Sequence, residues 1–199
     1  MRFFLRPLSL TLVLSLSAAS MASAGNSGNG GTRSTNVTVN DKFTDQLIRD
    51  VSRDFNECLQ LFEAYRFDCY SKTYRDAARK LKGSTDYQPA YEAFQTLEAR
   101  IAQAVAANID PSQKKLRKGF RRYDPVKPAA LPALKRETIR AMEEAKTTLL
   151  RSPAPHQKPH FQKIAAVIDS NKVLLRSALL KLKSQLRDFA TLLSGRAAG

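Results

Sequence analysis

Cys58 and Cys69 are the only cysteines of the chain, eleven positions apart. A redox pair usually needs spacing such as Cys-x-x-Cys, so a disulfide is the expected chemistry. It requires Cα atoms within about 7 Å. On one unbroken helix the two would stand about 16 Å apart, at 1.5 Å of rise per residue. The expectation is therefore an intramolecular Cys58–Cys69 bond across a helix–turn–helix corner, with the break at residues 64–68 and Asp68 capping the second helix. The alternative is a continuous helix with free or intermolecularly paired thiols.

His156 and His160 are the only histidines. Their spacing of four can hold a metal on a helix, but Pro159 disfavours the necessary turn and no Glu follows His156 as a zincin motif demands. A solvated loop is expected there, with no metal site. Any Ser–His–Asp or Cys–His centre would have to recruit this loop. Glu143 and Glu144 are adjacent on a helix and point in different directions. Glu57 and Glu63 flank the cysteines as ordinary solvated residues. No glycine-rich phosphate loop is present, and the residues name no catalytic group and no cofactor.

The strongest binding signal is charge. Lys114, Lys115, Arg117, Lys118, Arg121 and Arg122 crowd into nine residues, interleaved with Leu116, Phe120 and Tyr123. Guanidinium forks pair phosphate oxygens, while the aromatic residues seat against a surface. The whole chain carries +15, distributed unevenly. Residues 25–110 hold 11 Lys/Arg against 12 Asp/Glu, whereas residues 111–199 hold 20 against 6. Such asymmetry points to an anionic partner.

These residues sit in a chain dominated by helix formers. Residues 1–24 read as a signal peptide: Arg2 and Arg6, an apolar run over 8–19, and a small-x-small site at Ala22-Ser23-Ala24. That run is too short to span a bilayer, which takes roughly twenty residues, and nothing downstream is apolar enough for a second span. Residues 25–40 read as a flexible leader rich in Gly, Ser, Thr and Asn; Thr35–Val39 is the one clear strand-like alternation.

From Asn40 or Asp41 the apolar positions Phe43, Leu47, Val51, Phe55, Cys58, Phe62, Tyr65 and Cys69 step by three and four, the mark of one helical face. The seam continues to Leu81, with a stop at Gly83. A turn over 84–88, capped by Asp86, leads through Pro89 into a helix ending near Asn108. Asp110 and Pro111 read as the cap and first position of a further helix carrying the basic cluster. Pro125, Pro128 and Pro132 predict an extended connector. Helices follow from about Pro132 to Arg151 and from about Lys158 to Leu193, the latter with Asn171 and Lys172 interrupting its apolar seam. The predicted fold is all-α: an antiparallel bundle of four to five helices over residues 41–195 with proline-rich connectors.

The functional expectation is a periplasmic or secreted basic protein that acts by binding. Its partner is an anionic envelope component (lipid head groups, lipopolysaccharide or polysaccharide) or an acidic protein; export removes nucleic acid as a partner unless that is extracellular. A chaperone-like or subunit-like role through an apolar groove between helices is the second reading. An enzyme with a pocket around Tyr65, Tyr70 and the cysteine corner is the third.

Overall fold

Asn40 opens the first helix. Its Oδ1 accepts the Phe43 N–H at 2.9 Å, which satisfies one of the donors a helix start leaves orphaned. Helix α1, Asp41–Leu59, buries Leu47, Val51, Phe55 and Cys58, the face predicted from their spacing. A computed structural model describes residues 38–151 and 153–195, with side chains as far as residue 177. The signal peptide and residues 25–37 of the leader lie outside the described residues.

The chain turns sharply after α1 and enters helix α2, Glu63–Leu81. Leu61 N–H donates to the Cys58 carbonyl at 3.1 Å, and Arg66 Nε donates to the Leu61 carbonyl at 2.8 Å. Across this corner Cys58 and Cys69 are joined, with Sγ atoms 1.98 Å and Cα atoms 5.6 Å apart. The disulfide is as expected, but the break falls before residues 64–68. Asp68 is no cap: it lies inside α2 and is buried. Backbone bonds and the Arg66 guanidinium close the turn, and α2 starts without a side-chain cap.

Gly83, at φ +84°, lets the chain leave α2 through a conformation that side chains disfavour. A short 3-10 turn, Thr85–Tyr87, leads into helix α3, Gln88–Ala106, with Pro89 in its first turn. Asp86 does not cap α3, whose N-cap position is Tyr87. Its Oδ2 instead accepts the Val39 N–H at 3.3 Å, tying down the end of the predicted leader. After a second 3-10 turn, Pro128–Ala130, come helix α4, Leu131–Leu150, and helix α5, Lys158–Gly195.

Successive helices pair antiparallel. Asp50 of α1 meets Lys80 of α2 while Cys58 meets Cys69; Tyr74 of α2 stacks on Phe94 of α3 while Ser71 meets Glu98. On the last pair, Lys146 reaches Asp169 and Glu143 reaches Lys172. Glu143 and Glu144 do diverge, the first toward α5 and the second to Arg100 of α3. The core runs through the middle of these pairs, centred on Phe55, Tyr70, Tyr74, Phe94, Leu97 and Met142, all fully buried. Asn171 and Lys172 have specific partners: Asn171 Nδ2 donates to the Tyr74 hydroxyl at 3.2 Å, and Lys172 Nζ lies 2.6 Å from Glu143 and 2.5 Å from Asp169.

The helix predicted from Asp110 and Pro111 does not form. Asp110 Oδ1 accepts the Ser112 N–H in a local turn, and the chain then builds a hairpin, β1 Leu116–Lys118 and β2 Arg121–Tyr123. Leu116 pairs with Tyr123 and Lys118 with Arg121, leaving Gly119 and Phe120 as the two-residue loop. Gly119 has φ +60°, which the favoured tight hairpin turns require at that position. A helix would have set like charges three and four residues apart along one face. The hairpin buries Tyr123 and leaves the cations exposed or partly exposed. The fold is thus helical with one short two-stranded ribbon. The proline connector is extended only in part: Pro125 and Val126 pair back onto Ile109 and Asp110, and Pro128 and Pro132 enter helical turns.

Candidate anion-binding surface

A stripe on α2 holds the hairpin. Ala64, Asp68, Lys72 and Asp76 recur every fourth residue and so share one helical face. Each makes a bond to the segment between α3 and α4. The Ala64 carbonyl accepts the Val126 N–H at 2.9 Å, and Asp68 Oδ2 accepts the Asp124 N–H at 2.8 Å. Lys72 Nζ donates to the Arg122 carbonyl at 2.6 Å, and Asp76 Oδ2 accepts from Arg121 at 2.6 Å. Beside the stripe, the Tyr65 hydroxyl donates to the Lys114 carbonyl at 2.8 Å. The Lys72 ammonium also stands 5.4 Å from the centroid of the Tyr123 ring, within cation–π range.

The six predicted cations divide into three groups. Lys115 is paired with Asp124 at 2.7 Å, and Arg121 with Asp76, so these two fix the hairpin. Arg117 Nε donates to the Gly119 carbonyl at 3.3 Å, across the tip. Lys114, Lys118 and Arg122 are exposed, and among the described residues no carboxylate lies within ion-pair distance of them. Phe120, between Lys118 and Arg122 at the very tip, is 104% exposed.

Three further cations join them from a part of the chain with no net positive charge. Lys72, Arg75 and Arg79 of α2 line a groove with Arg121, Arg122 and Phe120, and Asp76 is its one carboxylate. Arg75 and Arg79 are exposed. The helical spacing 72, 75, 79 was available as a signal, but counting charge by halves of the chain concealed it. Only the docking of the hairpin onto α2 brings the two sets together. The result is a basic concave strip beside an exposed aromatic tip.

One of the two histidines departs from the expected solvated loop. His156 is exposed near Asp86, but His160 lies on α5, is buried, and is no part of a solvated loop. Its Nδ1 is 2.8 Å from Thr44 Oγ1, which lies 2.7 Å from the Tyr87 hydroxyl and donates to the Asn40 carbonyl at 2.9 Å. The Pro159 ring sits in the first turn of α5, where a missing N–H costs nothing, so the helix includes His160. Thr44 and Tyr87 are wholly buried and mutually bonded, so this group joins α1, the 3-10 turn before α3, and α5. Among the described residues, no group of three or more His, Cys, Asp or Glu side chains could hold a metal.

A pocket does lie beside Tyr70, but not at the cysteines. Its volume is about 220 Å³, and it opens between α2 and the start of α4. Phe67, Tyr70, Leu131 and Leu175 form its apolar part, with Glu63, Arg66 and Lys135 also lining it. Tyr65, Cys58 and Cys69 do not line it. Burial pushes the Tyr70 hydroxyl far above the usual tyrosine range, so it keeps its proton near neutral pH. No helix among the described residues is long and apolar enough to cross a membrane. Comparisons with protein-family models, curated proteins and solved structures find no match to this chain.

Proposed function

We propose that this chain is an exported protein that binds an anionic, phosphate-bearing envelope surface through the hairpin and the adjoining face of α2. The observation that carries this reading is the tip itself: a wholly exposed Phe120 flanked by Lys118 and Arg122, whose charges no described carboxylate answers. A free phenylalanine costs hydration in solution and gains when its ring enters the headgroup boundary of a bilayer. Cations next to such a ring attract anionic lipid by roughly 1 kcal/mol each near the surface. Arg75 extends the same field along α2, while Arg79 shares Asp76 with Arg121. The N-terminal pattern of residues 1–24 supports a periplasmic or secreted destination, where lipid head groups and lipopolysaccharide phosphates are the abundant anions.

Co-sedimentation with vesicles of phosphatidylglycerol and of phosphatidylcholine across a salt series tests the proposal. Retention on the anionic vesicles at low salt is expected, falling as the screening length shortens below about 10 Å. Arg75→Glu with Arg122→Glu should abolish it, and Phe120→Ser should remove what binding persists at higher salt. No retention at low salt, or equal retention on the neutral vesicles, would overturn the reading.

A further inference from the structure

The groove between the hairpin and α2 holds more positive charge than the protein answers. Lys72, Arg75, Arg79, Arg121 and Arg122 line it. Asp68 binds Lys72, and Asp76 spends one oxygen on Arg79 and the other on Arg121, the latter at 2.6 Å. Asp54 Oδ2 stands 3.7 Å from Arg121, while its other oxygen is taken by Arg53 at 2.9 Å. Five cations thus meet three carboxylates. The two left over are Arg75 and Arg122, both exposed, with no carboxylate in ion-pair distance among the described residues.

Both unanswered charges are guanidinium groups, whose planar forks each take two oxygens of a phosphate. They line one concavity of about 210 Å³, which suits a single projecting group better than a flat layer of head groups. A phosphodiester carries one charge and lies between two substituents. A terminal phosphomonoester projects, offers three acceptor oxygens and carries a charge of about −1.5 to −2 near neutral pH. The monoester is therefore the phosphate that matches two free guanidinium groups in a concave site. Phe120 lines the same groove and is wholly exposed, so an apolar ring stands beside the phosphate position. That ring suits a monoester at the head of a lipid, where the acyl boundary is close by.

We infer that the groove takes a terminal phosphomonoester borne by a lipid. Arg75 and Arg122 hold its oxygens, and Phe120 enters the adjoining acyl boundary. The inference rests on the surface proposed above and narrows its ligand from anionic head groups in general to one class.

Co-sedimentation with phosphatidylcholine vesicles containing either phosphatidic acid or phosphatidylglycerol, matched for surface potential at each pH, tests it. Phosphatidic acid should be bound about tenfold more tightly at pH 7.5, the factor that one added charge-assisted bond supplies. The preference should vanish at pH 5, because the second proton of a phosphomonoester has a pKa of about 6, while arginine stays charged. Arg75→Gln should bring the ratio close to one. Lys118→Gln, which removes the same charge outside the groove, should weaken both and keep the ratio. Displacement by soluble glycerol 3-phosphate would support the site as one for the monoester itself; retention undisturbed by it would support one that needs the lipid as well. Equal binding to the matched vesicles, or a preference that Arg75→Gln leaves intact, would overturn the inference and leave the anionic-surface reading standing. No binding to either vesicle would overturn both.

Discussion

Asp68 Oδ2 accepts the backbone N–H of Asp124 at 2.8 Å, a bond between two acidic residues 56 positions apart. The carboxylate is shared with Lys72, whose ammonium reaches on to the Arg122 carbonyl. One buried acid on α2 thus holds both the strand β2 and the cation that steadies it. The hairpin buries little apolar surface besides Tyr123, so polar bonds to α2 hold it.

Replacing Asp68 with Ala should therefore loosen the hairpin before it unfolds the helices. The loss expected is about 1–3 kcal/mol, the cost of stranding buried partners. Amide hydrogen exchange is the direct measurement. Protection should fall over residues 116–126 first, while α3 and α4 keep theirs; uniform loss across the chain would contradict this account.

The disulfide closes an eleven-residue interval across the corner. Chain-entropy arguments give such a crosslink about 3 kcal/mol of stability. Mass spectrometry of the non-reduced protein should find no free thiol, and Cys58→Ser with Cys69→Ser should lower the urea midpoint correspondingly. An unchanged midpoint would mean that the backbone and Arg66 hold the corner unaided.

Asn171 and Tyr74 are both fully buried and bonded to each other at 3.2 Å. Asn171→Leu should strand the Tyr74 hydroxyl at a cost of about 1–3 kcal/mol. Adding Tyr74→Phe should restore most of that, because removing both polar partners is far cheaper than removing one. Chemical denaturation of the two single variants and the double variant gives the coupling directly; strictly additive losses would show that the bond contributes nothing.

Acid should weaken the fold through particular carboxylates. The hydrogen bond from Lys80, supported by the Lys80 and Arg53 charges, holds the Asp50 pKa below the ordinary carboxylate range despite its burial. Asp169 is lowered likewise by Lys172 and Lys146. A depressed folded pKa means the unfolded chain binds more protons, so this stability is present above the unfolded value of about 3.9 and is lost as pH falls through the folded one. Urea midpoints measured downward from neutral pH should fall through that window. Asp50→Asn should flatten the slope; a slope unchanged in that variant would exclude the Lys80 pair as its source.

Helix positions were legible in the sequence because burying one face of a helix imposes a three-four spacing that survives without any knowledge of neighbours. Phe43 through Cys58, Tyr91 through Val105, and Leu134 through Leu149 all carry it, and the corresponding helices form where that spacing places them. The disulfide was legible too, since rise per residue and bond geometry are both fixed and demand a corner. Its location was not, because the turn after Leu59 is closed by Arg66 and backbone bonds, which leave no capping signature.

The hairpin escaped a reading by periodicity for a related reason. Each strand has three residues, too few for alternation to register, and a Gly-Phe loop lacks the Asn-Gly or Asp-Gly mark. The six clustered cations needed only composition to be noticed. That Lys115 and Arg121 serve as anchors, and that Arg75 and Arg79 complete the surface, depended on where α2 lies against the hairpin. Local spacing determined the helices, the covalent link and the charge cluster in this chain. Contacts between residues some fifty positions apart decided which charges stay exposed and put Phe120 at the tip, because only packing can pair an acid with a base that the chain keeps distant.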